Sequence, residues 1–168
     1  MKLSSFDAIV QALNSAGVRY LVVGGLAVNA HGYLRFTKDV DLVVRLATAD
    51  ILGAFRALAE IGYQPSVPIT AAQFADPALR ESWRRDKNML VLKFWSDIHR
   101  ETPIDIFVYE PFDFDIEYVR AMTASDADDT PARFASIQAL IAMKTAAARP
   151  VDLIDIEKLR QIADLEHP

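Results

Sequence analysis

The sequence feature that most constrains the fold is a short apolar strand that stops at two glycines. Residues 20–23 form an apolar run, and Gly24 and Gly25 follow at once. Residues 26–30 then have room for one or two helical turns before Gly32. The pattern therefore predicts a strand, a glycine turn and a helix, in that order.

A second strand is predicted at residues 39–46, because apolar and acidic residues alternate there. Val40 and Leu42 would lie on one face of such a strand, and Asp39 and Asp41 on the other. The backbones of the two aspartates would be roughly 6 to 7 Å apart. Carboxylates at that spacing can bracket a pair of hard cations such as Mg²⁺.

Two later apolar runs, residues 89–95 and 104–109, predict further strands, and the second run carries Asp105. A third carboxylate from a neighbouring strand would complete a cage for two metal ions, which catalyse in-line phosphoryl displacement. Each piece alone has an ordinary structural explanation, since alternating aspartates usually form a solvated face and glycine pairs usually form turns. The order of the three pieces along the chain favours a phosphoryl-transfer site.

The remainder of the chain is predicted to be mostly helical. Apolar residues recur at helical spacing in residues 6–13 and 51–58. Residues 64–88 are predicted to be irregular, apart from a helix around residues 77–85. After Pro131 the pattern is helical only, with a break at Pro150. We therefore predict an α/β (α+β) fold, with a mixed β-sheet flanked by helices in residues 1–130 and a helical hairpin in residues 131–168 packed on that core.

The composition of the chain argues against several classes of function. The chain has no cysteine, which excludes thiolate chemistry and leaves oxygen or histidine to hold any metal. The formal net charge of −5 argues against a surface that binds nucleic acid by bulk electrostatics, and no DNA partner is expected. No apolar run reaches the roughly 20 residues of a membrane span, and the first residues lack a signal-peptide block, so we expect a cytoplasmic protein without a membrane partner.

The segment LVVGGLAVNAHGYLRFTKDVDLVV resembles the signature of the nucleotidyltransferase superfamily that includes DNA polymerase beta. The resemblance implies the nucleotidyltransferase fold and transfer of a nucleoside monophosphate from a nucleoside triphosphate to an acceptor hydroxyl. It implies that Gly24 and Gly25 approach the triphosphate and that Asp39 and Asp41 hold two Mg²⁺ ions, with Mn²⁺ as the alternative. Asp105 matches the third acid, a metal ligand that acts as general base or orients it.

A finer resemblance is carried by R-x-T-x-D-x-D-L, which begins at Arg35, and by LIAMKTAAARPVDLIDIEKL. Together they are similar to the AbiEii-like nucleotidyltransferases of bacterial type IV toxin-antitoxin systems. This resemblance implies nucleotide-binding roles for Arg35, Thr37, Lys144 and Asp155, with Lys144 also catalytic. It further implies a toxin-like enzyme that modifies RNA such as tRNA, and a cognate antitoxin protein as partner.

The charged residues of the tail also have a physical interpretation. Lys144, Asp152 and Asp155 continue apolar helical faces, so their side chains point towards the protein and need partners. Triphosphate oxygens would suit Lys144. The alternatives are that Lys144 snorkels at the rim and that Asp152 interacts with the positive end of its helix dipole.

One basic helical face offers a possible acceptor surface. Arg80, Arg84 and Lys87 share it beside Trp83, an arrangement that can hold a phosphate backbone with a stacked base. Such a face is more often simply solvated.

The acceptor itself stays open at this stage. RNA, a small molecule such as an aminoglycoside, and a protein hydroxyl all require the same motifs. A catalytically silent nucleotide-binding module is the alternative outside enzymes. Magnesium-dependent binding of nucleoside triphosphates is expected in every case except a pure interaction module.

Overall fold

The computed structural model describes residues 1–125 and 130–166, without the side chain of Glu166. A seven-stranded mixed sheet lies at its centre and helices flank it. The strands are β1 Tyr20–Val23, β2 Val40–Val44, β3 Tyr63–Pro65, β4 Val91–Ser96, β5 Ile104–Phe107, β6 Met122–Ser125 and β7 Pro131–Phe134. The helices are α1 Leu3–Ser15, α2 Gly24–Ala30, α3 Thr48–Glu60, α4 Ala71–Ala75, α5 Pro77–Lys87, α6 Phe114–Arg120, α7 Ile137–Ala147 and α8 Pro150–Glu166.

The sheet order is β3-β4-β5-β2-β1-β7-β6. The inner strand β2 pairs antiparallel with β1 and parallel with β5, and β1 pairs parallel with β7. The mixed sheet with flanking helices confirms the predicted fold class. Because β1 is buried on both faces, its side chains form an unbroken apolar run, while β2 interrupts its apolar residues only at Asp41.

The 13-residue helices α1 and α3 pack their apolar faces into the core beside this sheet. The stripe predicted for α1 is buried as expected. In α3 the periodicity is only partly right, because Leu52 is exposed and Ala54 and Ala57 complete the buried face instead. Complete burial of such a side chain contributes roughly 1.5 to 3 kcal/mol. The buried apolar residues of these two helices are Phe6, Ile9, Val10, Leu13, Ile51, Ala54, Ala57 and Leu58.

Several predicted strand limits were wrong. The strand predicted at residues 39–46 is confined to Val40–Val44, so Asp39 lies in the bend that precedes β2. The helix predicted after the glycine pair begins at Gly24 itself.

Residues 64–88 are more regular than predicted, because local side-chain caps support two helices there. Thr70 and Gln73 form a capping box at α4, and the Asp76 carboxylate accepts hydrogen bonds at the start of α5.

The tail is not helical from residue 131. Residues 131–134 form β7, and the Ala135 amide donates to the Val22 carbonyl at 3.0 Å, which continues the pairing with β1. The helical hairpin predicted for the tail therefore starts only at Ile137 and consists of α7 and α8. The division of the chain at residue 130 stays a prediction. None of the helices in the described part of the chain is long and apolar enough to cross a membrane.

Candidate active site

Three aspartates meet at one edge of the central strands. β2 and β5 run parallel with Asp41 directly opposite Asp105, and Asp39 lies one residue before β2. The neighbours of Asp41 on β2, Val40 and Leu42, are fully buried on the core side, whereas Asp41 itself is half-buried. We call Asp39, Asp41 and Asp105 the acid trio. The register brings together the carboxylates that the sequence predicted as metal ligands.

The glycine pair lies against this edge. Val23 is the register partner of Asp41 on β1, so Gly24 follows beside the Asp41 side chain. Gly24 has φ +64°, and a Cβ atom there would lie 2.6 Å from Asp41 Cγ, so only glycine fits. At Gly25, a Cβ atom would lie 2.8 Å from both Arg35 Nη2 and Thr37 Oγ1. The four predicted residues Gly24, Gly25, Arg35 and Thr37 are therefore neighbours.

The electrostatics of the trio indicate a lack of positive charge. Burial, together with the negative charges of Asp105 and Asp39, raises the pKa of Asp41 to about 6. Burial also raises the pKa of Asp105, although the Lys93 ammonium opposes that rise. Carboxylates whose ionised forms are penalised in this way favour a cation that binds among them.

Lys93 supplies positive charge to two of these carboxylates, and the sequence did not reveal it. Its Nζ atom lies 3.3 Å from Asp105 Oδ1 and 3.8 Å from Asp39 Oδ2. Lys93 is directly opposite Asp105 in the antiparallel pairing of β4 with β5. Alternation along β4 puts Lys93 on its exposed face, but the pairing register that aligns it with Asp105 could not be seen in the sequence.

The trio suits Mg²⁺ or Mn²⁺ in the chemistry of its donors, which are carboxylate oxygens. Asp105 Oδ1 is buried, and the raised pKa of Asp41 further indicates a site that a cation would stabilise. In residues 1–125 and 130–166, however, no three acidic or histidine side chains already stand close enough together to hold a metal ion. The carboxylate side chains would have to rotate to bring the three ligands together.

A second charged group, which we call the tail cluster, links the helical hairpin to the segment before β2. Lys144 Nζ lies 2.6 Å from Asp155 Oδ2 and 3.3 Å from Asp152 Oδ1. Arg35 Nε lies 3.1 Å from the other Asp155 oxygen, and Arg149 Nε lies 2.7 Å from Asp152 Oδ2. These five residues form a continuous chain of ion pairs.

The tail cluster explains the inward-facing charges. Lys144 is only 4% exposed and both aspartates are fully buried, so the predicted inward orientation is confirmed and the snorkelling alternative is wrong. The partners found for Lys144 are carboxylates. Asp152 also accepts a hydrogen bond from the Arg149 backbone amide at 3.1 Å, which caps the start of α8. A contact between Lys144 and a triphosphate stays a prediction.

The two charged groups act on each other. The positive charges of Arg149 and Lys144 lower the pKa of Asp41 and so partly offset the effect of burial. The acid trio has three carboxylates and one ammonium partner, whereas the tail cluster has three cations and two carboxylates. A cation-poor site therefore adjoins a cation-rich one, an arrangement that complements a metal ion bound to a polyphosphate.

The predicted acceptor surface on α5 is wrong, because two of its members belong to the core. Trp83 is 7% exposed and packs beside Phe74, and Arg80 is 8% exposed and donates to the Phe74 carbonyl at 2.6 Å. The Arg84 guanidinium stacks on the Tyr109 ring at 4.3 Å. Neither a base nor a phosphate backbone can reach Trp83 or Arg80.

Comparison with known proteins rests on structure. No family model matches the sequence, and no curated protein is significantly similar to it. The chain is similar to the lincosamide antibiotic adenylyltransferase LnuA in its lincomycin-bound structure, with a TM-score of 0.59 and 14% identity over 96% of this chain and 98% of that one. It is also similar to the antibiotic-resistance factor ANT(2'')-Ia, with a TM-score of 0.55 and 16% identity over 96% of this chain and 84% of that one.

A third structure is an antigenic nucleotidyltransferase-like protein from Paracoccidioides brasiliensis. Its TM-score is 0.54, with 16% identity over 93% of this chain and 73% of that one. The sequence identities are low, but the matches extend along nearly the whole chain, which includes both the sheet and the tail. The chain therefore has the nucleotidyltransferase fold.

Proposed function

We propose that this protein is a metal-dependent nucleotidyltransferase, which transfers a nucleoside monophosphate from a nucleoside triphosphate to an acceptor hydroxyl and releases pyrophosphate. The observation that carries the proposal is the contact of Gly24 with Asp41, whose register partner is Asp105. The strand-end glycine pair and the acid trio thus meet at one edge of the sheet.

In this proposal Asp39, Asp41 and Asp105 hold two Mg²⁺ ions, or Mn²⁺. Bound there, the metal ions would activate the acceptor hydroxyl and stabilise the leaving pyrophosphate. Asp105 accepts or directs the proton of that hydroxyl. Burial supports this role because it raises the pKa of Asp105 and thus makes the carboxylate a stronger base than an exposed aspartate.

The triphosphate would lie between the glycine pair and the tail cluster. Gly24 and Gly25 leave the start of α2 without side chains, and Arg35 Nη2 and Thr37 Oγ1 adjoin Gly25. Arg35 and Lys144 belong to the cation-rich cluster, which would attract the phosphates. Asp155 is ion-paired with both residues and would position them from α8.

For the acceptor, the AbiEii-like resemblance favours RNA such as tRNA, together with a toxin role and an antitoxin partner in the cytoplasm. Two observations favour a small-molecule hydroxyl instead. Burial of Trp83 and Arg80 removes the surface predicted to stack a base. In addition, the fold matches 98% of a lincomycin-bound adenylyltransferase, which is a chain of nearly the same extent.

Transfer assays with nucleoside triphosphates labelled in the α-phosphate test the proposal. Each of the four triphosphates would be incubated with Mg²⁺ or Mn²⁺ and with total RNA, tRNA, or a panel of lincosamides and aminoglycosides, and Asp41→Asn serves as the inactive control. Label in RNA supports the first acceptor, and label in a small molecule supports the second. Nucleotide binding without labelling of these acceptors or of a cell lysate would indicate a catalytically silent module.

A further inference from the structure

The Lys93 side chain has no assigned role in nucleotidyl transfer, although it touches two members of the acid trio. Its ammonium lies 3.3 Å from Asp105 Oδ1 and 3.8 Å from Asp39 Oδ2, and its side chain is 47% exposed. β4 holds the Lys93 backbone in register with Asp105. Strand pairing therefore keeps the base of the Lys93 side chain beside Asp105, within reach of both carboxylates.

The ammonium and a divalent ion would compete for the same oxygens. Three carboxylates at one edge repel one another, and Lys93 offsets part of that repulsion. A divalent ion bound by Asp39 and Asp105 would lie on the order of 4 Å from an ammonium that kept its place, and the two cations would repel. Because Lys93 is half-exposed on a flexible stem, it can withdraw into solvent at little cost.

We propose that Lys93 is an internal counter-ion, which holds the metal ligands together in the metal-free protein and is displaced when a divalent ion binds. This inference rests on the proposed function and adds a residue to it. Lys93 lowers the affinity for a free divalent ion. A triphosphate brought with the metal supplies negative charge and offsets that penalty, so loading with metal and nucleotide together is favoured.

Mn²⁺ titration without nucleotide, followed by the electron paramagnetic resonance signal of the free ion, tests the proposal directly. Removal of one unit charge about 4 Å from a half-exposed divalent ion is expected to tighten binding on the order of tenfold in Lys93→Met. Lys93→Arg keeps the charge and should bind Mn²⁺ as the parent does. Lys2→Met is the matched control, since Lys2 pairs with an exposed carboxylate, Glu101, at 3.5 Å.

A second readout separates a counter-ion from a residue that merely supports β4. In EDTA, Lys93→Met should melt below the parent protein, because the carboxylates then lack their cation. Saturating Mn²⁺ should raise its melting temperature by more than that of the parent, since binding is tighter. A purely structural lysine would lower the melting temperature equally with and without Mn²⁺. If Lys93→Met is too unstable in EDTA, Lys93→Gln serves in its place.

The variants distinguish failure of the inference from failure of the proposed function. Unchanged or weaker Mn²⁺ affinity in Lys93→Met, with binding abolished in Asp41→Asn, would overturn the counter-ion role and leave the metal site intact. Equal Mn²⁺ binding by the parent and Asp41→Asn, or no binding by the parent and both Lys93 variants, would overturn the metal site and the counter-ion together. Tighter Mn²⁺ binding in Lys93→Met, without the same change in Lys93→Arg or Lys2→Met, supports both the metal site and the counter-ion role.

Discussion

The acid trio and the tail cluster are built from the same kinds of residue but are completed differently. In the tail cluster every carboxylate has cationic partners within the chain, and Lys144 with both aspartates is removed from solvent. In the acid trio, two of the three carboxylates share Lys93, and burial with the neighbouring negative charges still raises the pKa of Asp41 to about 6. The carboxylates of the tail cluster are paired with cations of the same chain, whereas those of the acid trio favour an additional cation from solution.

The comparison teaches that buried or clustered charge does not by itself mark a ligand site. A paired buried charge is costly to break, because removal of one partner leaves the other without compensation inside the protein. An under-compensated carboxylate group at a sheet edge can lose a member without loss of core packing. Variants of the tail cluster should therefore lose stability first, and variants of the acid trio should lose function first.

The largest effect is expected for Asp41→Asn. This substitution keeps the size of the side chain beside Gly24 but removes a charged metal ligand, so nucleotide transfer should fall by about 10³-fold or more, while the fold persists. Asp97→Asn is the matched control, since Asp97 is an exposed carboxylate that pairs with Arg100 at the end of β4. Transfer rates, together with thermal melts, measure both. Near-parental transfer by Asp41→Asn would show that the trio does not hold the metal.

Lys144→Met should break the tail cluster. The substitution leaves buried Asp155 with Arg35 and buried Asp152 with Arg149, so we expect a loss in the free energy of unfolding below the roughly 3 to 5 kcal/mol of a wholly uncompensated buried charge. Chemical denaturation measures this loss. Lys144→Arg, which keeps the charge with a wider head group, should lose less. Lys2→Met removes an exposed partner of Glu101 and should change stability by at most about 1 kcal/mol.

The same variants test the predicted triphosphate contact of Lys144. If its ammonium also binds phosphate, Lys144→Arg should be more stable than Lys144→Met yet show a raised KM or lowered kcat at temperatures where it is fully folded. Parental kinetics in a folded Lys144→Arg or Lys144→Met protein would restrict Lys144 to a structural role.

Gly25→Val tests the glycine that adjoins Arg35 of the tail cluster. Gly25 has an ordinary φ, but a Cβ atom there would press on Arg35 and Thr37, so these side chains must move. We expect a stability loss of about 1 to 3 kcal/mol and weaker triphosphate binding, measured by calorimetry. Gly53→Ala is the control, because its Cβ would lie 3.1 Å from Val18 Cγ2, away from the site. Unchanged nucleotide affinity in a folded Gly25→Val protein would contradict the phosphate-binding role.

The smallest effect is a pH dependence of stability in EDTA. The pKa of Asp41 is about 6 in the folded protein and 3.8 without burial, so folding favours its protonated form. That stabilisation is complete below pH 3.8 and is lost as the pH rises through about 6. Between pH 4 and pH 7, the parent should lose about 1 to 2 kcal/mol relative to Asp41→Asn, since the site is only half-buried.

Denaturation at each pH, with and without Mn²⁺, measures this dependence. Mn²⁺ binds the ionised carboxylate, so it should restore the stability of the parent at pH 7 and leave Asp41→Asn little changed. A parallel pH dependence in both proteins would show that Asp41 is not the group that carries the excess negative charge.

Local patterns in the sequence were sufficient for the individual elements. The periodicity of α1 and α3, the alternation in β2 and the glycine pair are encoded by neighbouring residues, and the structure contains each of them. Strand limits were less certain, because pairing decides where a strand ends. Asp39 and the segment Pro131–Phe134 were misassigned for this reason.

The sequence by itself predicted the fold class and selected the three carboxylates and two glycines that the structure brings together. Their metal-binding and phosphate-binding roles stay predictions. The tertiary structure decided which charges meet: the register of β4 with β5 aligns Lys93 with Asp105, and docking of α8 brings Asp155 to Arg35. It also decided that Trp83 belongs to the core. The physical reason is that burial and ion pairing join residues far apart in the chain, and their energies depend on distances that local spacing does not specify.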